Sequence, residues 1–224
     1  MSTHYPIFLD LTDRDAVIIG GGTVAARKAE TLLAHGARVT VVAPECVDAI
    51  ANDSAIAWKK KPYDADDLRD ALLVIAATNV AAVNEQIARD CRERRILVNV
   101  TDDAMLGDFI LPAIVDNGSI QIAVSTGGRS PAFARVVKRD IERTIGEEYA
   151  EVNDLLGSLR DAAKASPQLP TNADRKRFFE SLIAIGLVDM LHAGRRRDAY
   201  RAVADACEAN GVALSDVLRS GLDA

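Results

Sequence analysis

The stretch "DAVIIGGGTVAARKAE", residues 15 to 30, limits what this chain can fold into more than any other segment. The apolar run Ala16 to Ile19 passes straight into Gly20, Gly21 and Gly22, and these open into a helix-like pattern. A short continuous apolar run bounded by turn residues fits a strand buried on both faces, as in a parallel sheet. Glycine at the end of such a strand permits a sharp turn and bares the start of the following helix. There, unpaired N–H groups and a partial positive charge favour an anion.

Gly20, Gly22 and Ala25 match G-x-G-x-x-G/A, with Gly21 as an additional glycine. In the dinucleotide-binding form of this turn, the first glycine makes the bend and the second admits a pyrophosphate to the backbone. The third small residue lets the helix pack close to the sheet. A plain glycine-rich turn is the alternative, but strand, motif, helix and a second strand at Arg38 to Val42 follow in the order a βαβ unit requires.

The same alternation continues to about residue 100, with strands expected at Ala55 to Trp58, Leu72 to Ala76 and Ile96 to Val100 and helices starting near Val24, Ala65 and Val80. After residue 108 it breaks. "DFILPAIVDNGSIQIAVST" reads as two apolar runs joined by Asp116-Asn117-Gly118, where Asn-Gly signals a hairpin turn because both residues tolerate positive φ. From Ser130 the pattern is helical, with Pro131 suited to a first turn and a stripe through Phe133, Val136, Val137, Ile141 and Ile145 that Tyr149, Val152, Leu156 and Leu159 continue. "SPQLPTNAD", residues 166 to 174, reads as a break before helices at about 173 to 185 and 195 to 209.

Composition removes several classes. Hydrophobic residues at 49% and charged residues at 27% describe a soluble globular chain, and no apolar run is long enough to span a bilayer. With no leader pattern at the N-terminus, the expected location is the cytoplasm. A formal charge of −6 argues against nucleic acid as a partner, and Arg195-Arg196-Arg197 reads as a solvated helix face. Cys46, Cys91 and Cys207 lack disulfide or zinc spacing, so no metal site is expected. His4, His35 and His192 are scattered, and none follows a strand.

Candidate site residues fall where the strands end. In an open α/β sheet the carboxyl edge is where ligands lie, which brings Thr78 and Asn79 after the fourth strand to the cofactor, with helix capping by Asn79 as the alternative. At the end of the second strand Ala43 and Pro44 stand where a ribose-binding acid is usual, and Glu45 comes slightly late. No arginine takes the acid's place, which favours NAD over NADP. The fifth strand "ILVNV" leads to Thr101, Asp102 and Asp103. A carboxylate there, partly shielded from water, is placed to take a proton while a hydride leaves a substrate; a turn or capping aspartate is the alternative. The loop "STGGRSPAFAR" sets Ser125, Thr126, Gly127, Gly128, Arg129 and Ser130 ahead of a helix, with Arg135 and Lys138 nearby, a pattern suited to carboxylates. A simple hairpin-to-helix connection is equally compatible with it.

Together "YPIFLDLTDRDAVIIGGGTVAARKAETLLAHGARVTVVAPE", "AATN", "NVTDD", "FILPAIV" and "AVSTGGRSPAFAR" resemble the precorrin-2 dehydrogenase / sirohydrochlorin ferrochelatase family, which includes the N-terminal part of sirohaem synthase. The likeness covers residues 5 to about 140, and more loosely "DRKRFFESL". It implies an α/β fold: an NAD-binding Rossmann domain at 1–112, a small α+β dimerisation region at 113–147 and an all-helical domain at 148–224. It implies a homodimer that oxidises precorrin-2 to sirohydrochlorin with NAD, in some members followed by insertion of ferrous iron. The family's essential aspartate falls on Asp102, and its dinucleotide contacts fall on Thr23, Val24, Pro44 and Glu45, so the family too lacks the usual ribose acid. A polycarboxylate tetrapyrrole suits the residues Ser125 to Ser130 and Arg135. A non-catalytic NAD sensor is the rival reading from outside enzymology, and in it Asp102 is only a loop residue.

Overall fold

The computed structural model describes residues 4 to 223. It opens as a run of βα units: β1 (Asp15–Ile19), α1 (Thr23–Ala34), β2 (Arg38–Val42), the short α2 (Asp48–Ala51), β3 (Ile56–Lys59), β4 (Leu73–Ala76), α3 (Ala81–Arg94) and β5 (Leu97–Val100). All strands are parallel, in the order β3-β2-β1-β4-β5, so the order reverses beside β1. The near-continuous apolar character of β1 and β4 follows from cover on both faces. Ala16, Ile18, Val39, Val41 and Ile75 pack with α1, whereas Val17, Ile19, Val74, Val98 and Val100 pack with α3.

Ala25, Ala29 and Leu32 of α1 are buried at helical spacing, and the two alanines, with no exposed surface, let the helix lie close against the sheet. The helix stops at Gly36, whose φ of +79° allows the Ala37 N–H to return to the Leu32 carbonyl. Burial pushes the Cys91 thiol up to about 12 and that of Cys207 up to about 11, so both remain protonated packing groups.

Three sequence expectations change. The helix expected near Ala65 is a single 3₁₀ turn, Ala65–Leu68, in which the Asp64 and Asp67 side chains bond to neighbouring backbone N–H groups and so compete with helix propagation. In the hairpin of β6 (Ala113–Asn117) and β7 (Ile120–Val124), the turn lies one residue later than expected, at Gly118 and Ser119. Only Gly118 has positive φ, and Asn117 stays in the strand opposite Ile120. The side-chain amide of Asn117 instead donates to the carbonyls of Ile145 and Gly146. The helical stripe from Ser130 is broken at those same residues into α4 (Pro131–Thr144) and α5 (Glu147–Ser158).

The remainder is helical: α6 (Arg160–Ala165), α7 (Asn172–Ala184), α8 (Leu187–His192), α9 (Arg196–Ala209) and α10 (Asp216–Asp223). Leu155, Leu159, Phe178, Leu182, Tyr200, Val203 and Leu218 form its core. The periodicity of α7 and α9 is legible in the sequence, while α8 and α10 are too short to stand out from it. The chain forms two compact units. One takes in the sheet up to Leu111 with Gly127–Ser130, and the other takes in Pro112–Thr126 with the helices from Pro131 onward.

Candidate functional site

Each glycine of the first turn meets a different demand. Gly20 has φ +128°, and a Cβ there would collide with the Ala77 carbonyl at the end of β4. A Cβ on Gly21 would collide with the Glu45 carbonyl, and Gly21 in turn accepts the Val47 N–H at 2.9 Å. Those close approaches draw together the loops that follow β1, β2 and β4. Gly22 is the N-cap of α1, with no side chain closing the helix start and nothing within 4 Å of the position its Cβ would take. The backbone donors of Thr23 and Val24 therefore face open space at the positive end of a helix, a cradle that fits a dinucleotide pyrophosphate.

That cradle is the middle of a cleft of about 620 Å³ along the carboxyl edge of the sheet, bordered by the glycine turn, Pro44, Glu45, Thr78, Asn79 and Asp102. All of these are candidates on sequence grounds. Ala25 is the exception among the cofactor candidates: it is buried beneath the turn and acts by letting α1 approach the sheet. At the β2 end Ala43 is buried, and its carbonyl accepts the Trp58 indole N–H at 3.0 Å, so the wall is apolar where an acid is usual.

At the β4 end the paired candidates separate. Thr78 is engaged within the chain: its hydroxyl donates to Asn84 Oδ1 at 2.8 Å, and Asn84 Nδ2 donates to the Thr78 carbonyl at 3.0 Å. Asn79 does not cap α3, whose N-cap is Val80, and its side-chain amide makes no hydrogen bond to the described residues. Of the two, Asn79 has the side chain available to a ligand.

Asp102 and Asp103 separate in the same way. Thr101 anchors the β5 exit through its N–H and hydroxyl to the Ala76 carbonyl at 3.0 and 3.2 Å. Asp103 accepts the Met105 N–H at 2.8 Å and so holds the loop's turn. Asp102 borders the cleft, and its carboxylate makes no hydrogen bond or ion pair to the described residues. It is exposed and not partly shielded as the sequence suggests.

Pro62, Tyr63, Val80, Val83 and Thr101 also border the cleft, and sequence reasoning does not single them out as ligand contacts. The available signal for Pro62 and Tyr63 is their place just past β3, at the same carboxyl edge as the other strand exits. Among the described residues, the lining comes wholly from residues 19 to 102. Ser125, Thr126, Gly127, Gly128, Arg129, Ser130 and Arg135 lie instead on the segment from β7 into α4. There Gly127 and Gly128 take φ of +62° and +77°, and Arg129 and Arg135 are exposed.

A parallel sheet with its order reversing at β1, a glycine turn at that point and an open helix start beneath a cleft define a Rossmann-type nucleotide-binding protein. Family models agree: "Putative NAD(P)-binding" matches residues 7–113 and "Sirohaem biosynthesis protein central" matches residues 117–144. The chain therefore joins an NAD(P)-binding domain to the central segment found in sirohaem biosynthesis proteins. It is 39% identical over 201 residues to a siroheme synthase of Nitrosospira multiformis, covering 87% of this chain and 42% of that one. It is 37% identical over 182 residues to the siroheme synthase of Mannheimia succiniciproducens, covering 80% and 38%. The chain thus spans about two fifths of these relatives' length. A solved structure described as SirC, precorrin-2 dehydrogenase, superposes with a TM-score of 0.72 at 25% identity, covering 90% of this chain and all of that one. No helix among the described residues is long and apolar enough to cross a membrane.

Proposed function

We propose that this protein oxidises precorrin-2 to sirohydrochlorin, with NAD as the acceptor. The observation that carries the proposal is a single cleft running from an open helix N-terminus to an aspartate that makes no bond within the described chain. Bound NAD would supply the site for the departing hydride. The chain's own residues do the rest. Amides of Thr23 and Val24 hold the pyrophosphate, Pro44 and Glu45 meet the adenosine ribose, and Asn79 orients the nicotinamide end. The Asp102 carboxylate takes the proton that the substrate carbon framework loses as its hydride departs. Ser125 to Ser130 and Arg135 hold substrate carboxylates through backbone donors and a guanidinium. The working form is a cytoplasmic homodimer built through the hairpin and the helices after residue 110.

Asp102→Ala, assayed anaerobically for NADH formation on precorrin-2, tests this reading. Turnover should fall at least about a hundredfold, the usual scale for removing a general base, while the NAD dissociation constant stays unchanged. Unchanged turnover would return Asp102 to the status of a loop residue. NAD binding without turnover by the unsubstituted protein would favour the sensor. Adding ferrous iron to the same assay reads the second activity, as sirohaem formed faster than in a protein-free control.

A further inference from the structure

Tyr63 leaves β3 and borders the cleft at the end formed by β2 and β3. In a fold made of two mononucleotide-binding halves, the half that contains β2 receives the adenosine. Tyr63 is half-buried and packs on the α3 side of the sheet, with Val42, Leu68 and Ile87 in the same cluster. Its hydroxyl donates to Asp90 Oδ2 at 2.7 Å, and Gln86 Nε2 donates to Asp90 Oδ1 at 2.7 Å. Asp90 sits on α3 with only 7% of its surface exposed, so its carboxylate is a fixed buried acceptor for the tyrosine. The strand exit is held as well: the buried Asp67 carboxylate accepts from Lys61, Lys59 and the Asp64 N–H.

With its hydroxyl engaged, Tyr63 offers the cleft its ring. Pro62, with Val42, Ala43 and Pro44 at the β2 exit, borders the same cleft, so this end has an apolar wall suited to a flat uncharged base. We infer that Tyr63 forms the wall against which the adenine base of the dinucleotide lies, and that Asp90 is a positioning residue that holds the ring there. The inference rests on the cofactor reading above and adds the residue that recognises the base.

Calorimetric titration with NAD and with adenosine diphosphate ribose, which shares the adenosine and pyrophosphate but lacks nicotinamide, tests it without any turnover. Tyr63→Ala should weaken both ligands by the same factor, about tenfold or more, as loss of an aromatic surface against a base does. Asp90→Ala should weaken both in the parent but add nothing in the Tyr63→Ala background, and Asp90→Asn, which keeps an acceptor, should restore affinity to within about threefold. A Tyr63→Ala protein that binds adenosine diphosphate ribose as the parent does would overturn the inference and leave the cofactor reading standing. So would an Asp90→Ala effect undiminished without Tyr63, which is what a merely structural role produces. If the unsubstituted protein binds neither ligand, both readings fall.

Discussion

A methyl group added at Gly21 would collide with the Glu45 carbonyl, whereas one added at Gly22 would meet nothing within 4 Å. The two substitutions should therefore fail in different ways. Gly21→Ala forces backbone against backbone, which no side-chain rotation relieves, and should cost about 3 kcal/mol of stability or more, read as a lowered melting temperature. Gly22 has φ −82°, which alanine adopts freely, so Gly22→Ala should lose under about 1 kcal/mol, the usual penalty of alanine at an N-cap. Its methyl group would stand before the amides of Thr23 and Val24. NAD affinity should drop about tenfold or more in calorimetry, on the scale of losing one good phosphate contact. If Gly22→Ala leaves NAD affinity intact, the phosphate does not lie at that helix start. The G-x-G-x-x-G/A pattern makes these glycines legible in the sequence alone, because the need for a residue without a side chain is written in the residue itself.

Among the elements, the 3₁₀ turn after β3 shows how charge shapes a connection. Burial acts to raise the Asp67 carboxyl, but hydrogen bonds from Lys61, the Asp64 N–H and Lys59 outweigh it and hold the group below its ordinary value of 3.8. A carboxyl depressed in the folded state contributes stability that is present above its unfolded value and is lost as pH falls through the folded one. Asp67→Asn should accordingly lower stability at neutral pH by about 1–3 kcal/mol, as loss of a charged buried acceptor does. The gap between variant and parent in pH-dependent thermal unfolding should close as pH drops below 3.8. A gap that persists unchanged in acid would mean that the lysines contribute nothing through Asp67. The sequence suggests a helix here because strands and helices alternate along this part of the chain, and that alternation carries no trace of the competing bonds of Asp64 and Asp67. Asn117 misleads for a related reason: Asn-Gly is a turn signal in isolation, but its amide is needed between α4 and α5.

Over the whole molecule, each of the two units has its own core, and the hairpin and α4 carry the proposed dimer contact. Phe133 and Val136 on α4 are 58% and 37% exposed, large apolar surface for a chain's outer face. Light scattering on the eluting protein should give about twice the chain mass of 24.0 kDa, and Phe133→Glu should shift it to the single-chain mass. A parent protein that elutes as a monomer at assay concentration would remove the dimer from the proposal.

The strand, glycine turn and helix at the start of the chain, the parallel βα order and the hairpin were all determined by the sequence, since each depends on residues close together along the backbone. Only the tertiary structure decided which of several plausible polar residues remain available. Asp102 and Asn79 are left without bonds to the described chain, while Asp103 holds a turn and Thr78 is tied to Asn84. It also decided that Tyr63 walls the cleft. The reason is that parallel pairing carries strand ends far apart in sequence to one edge, where the hydrogen bonds formed on folding engage some of their side chains and not others.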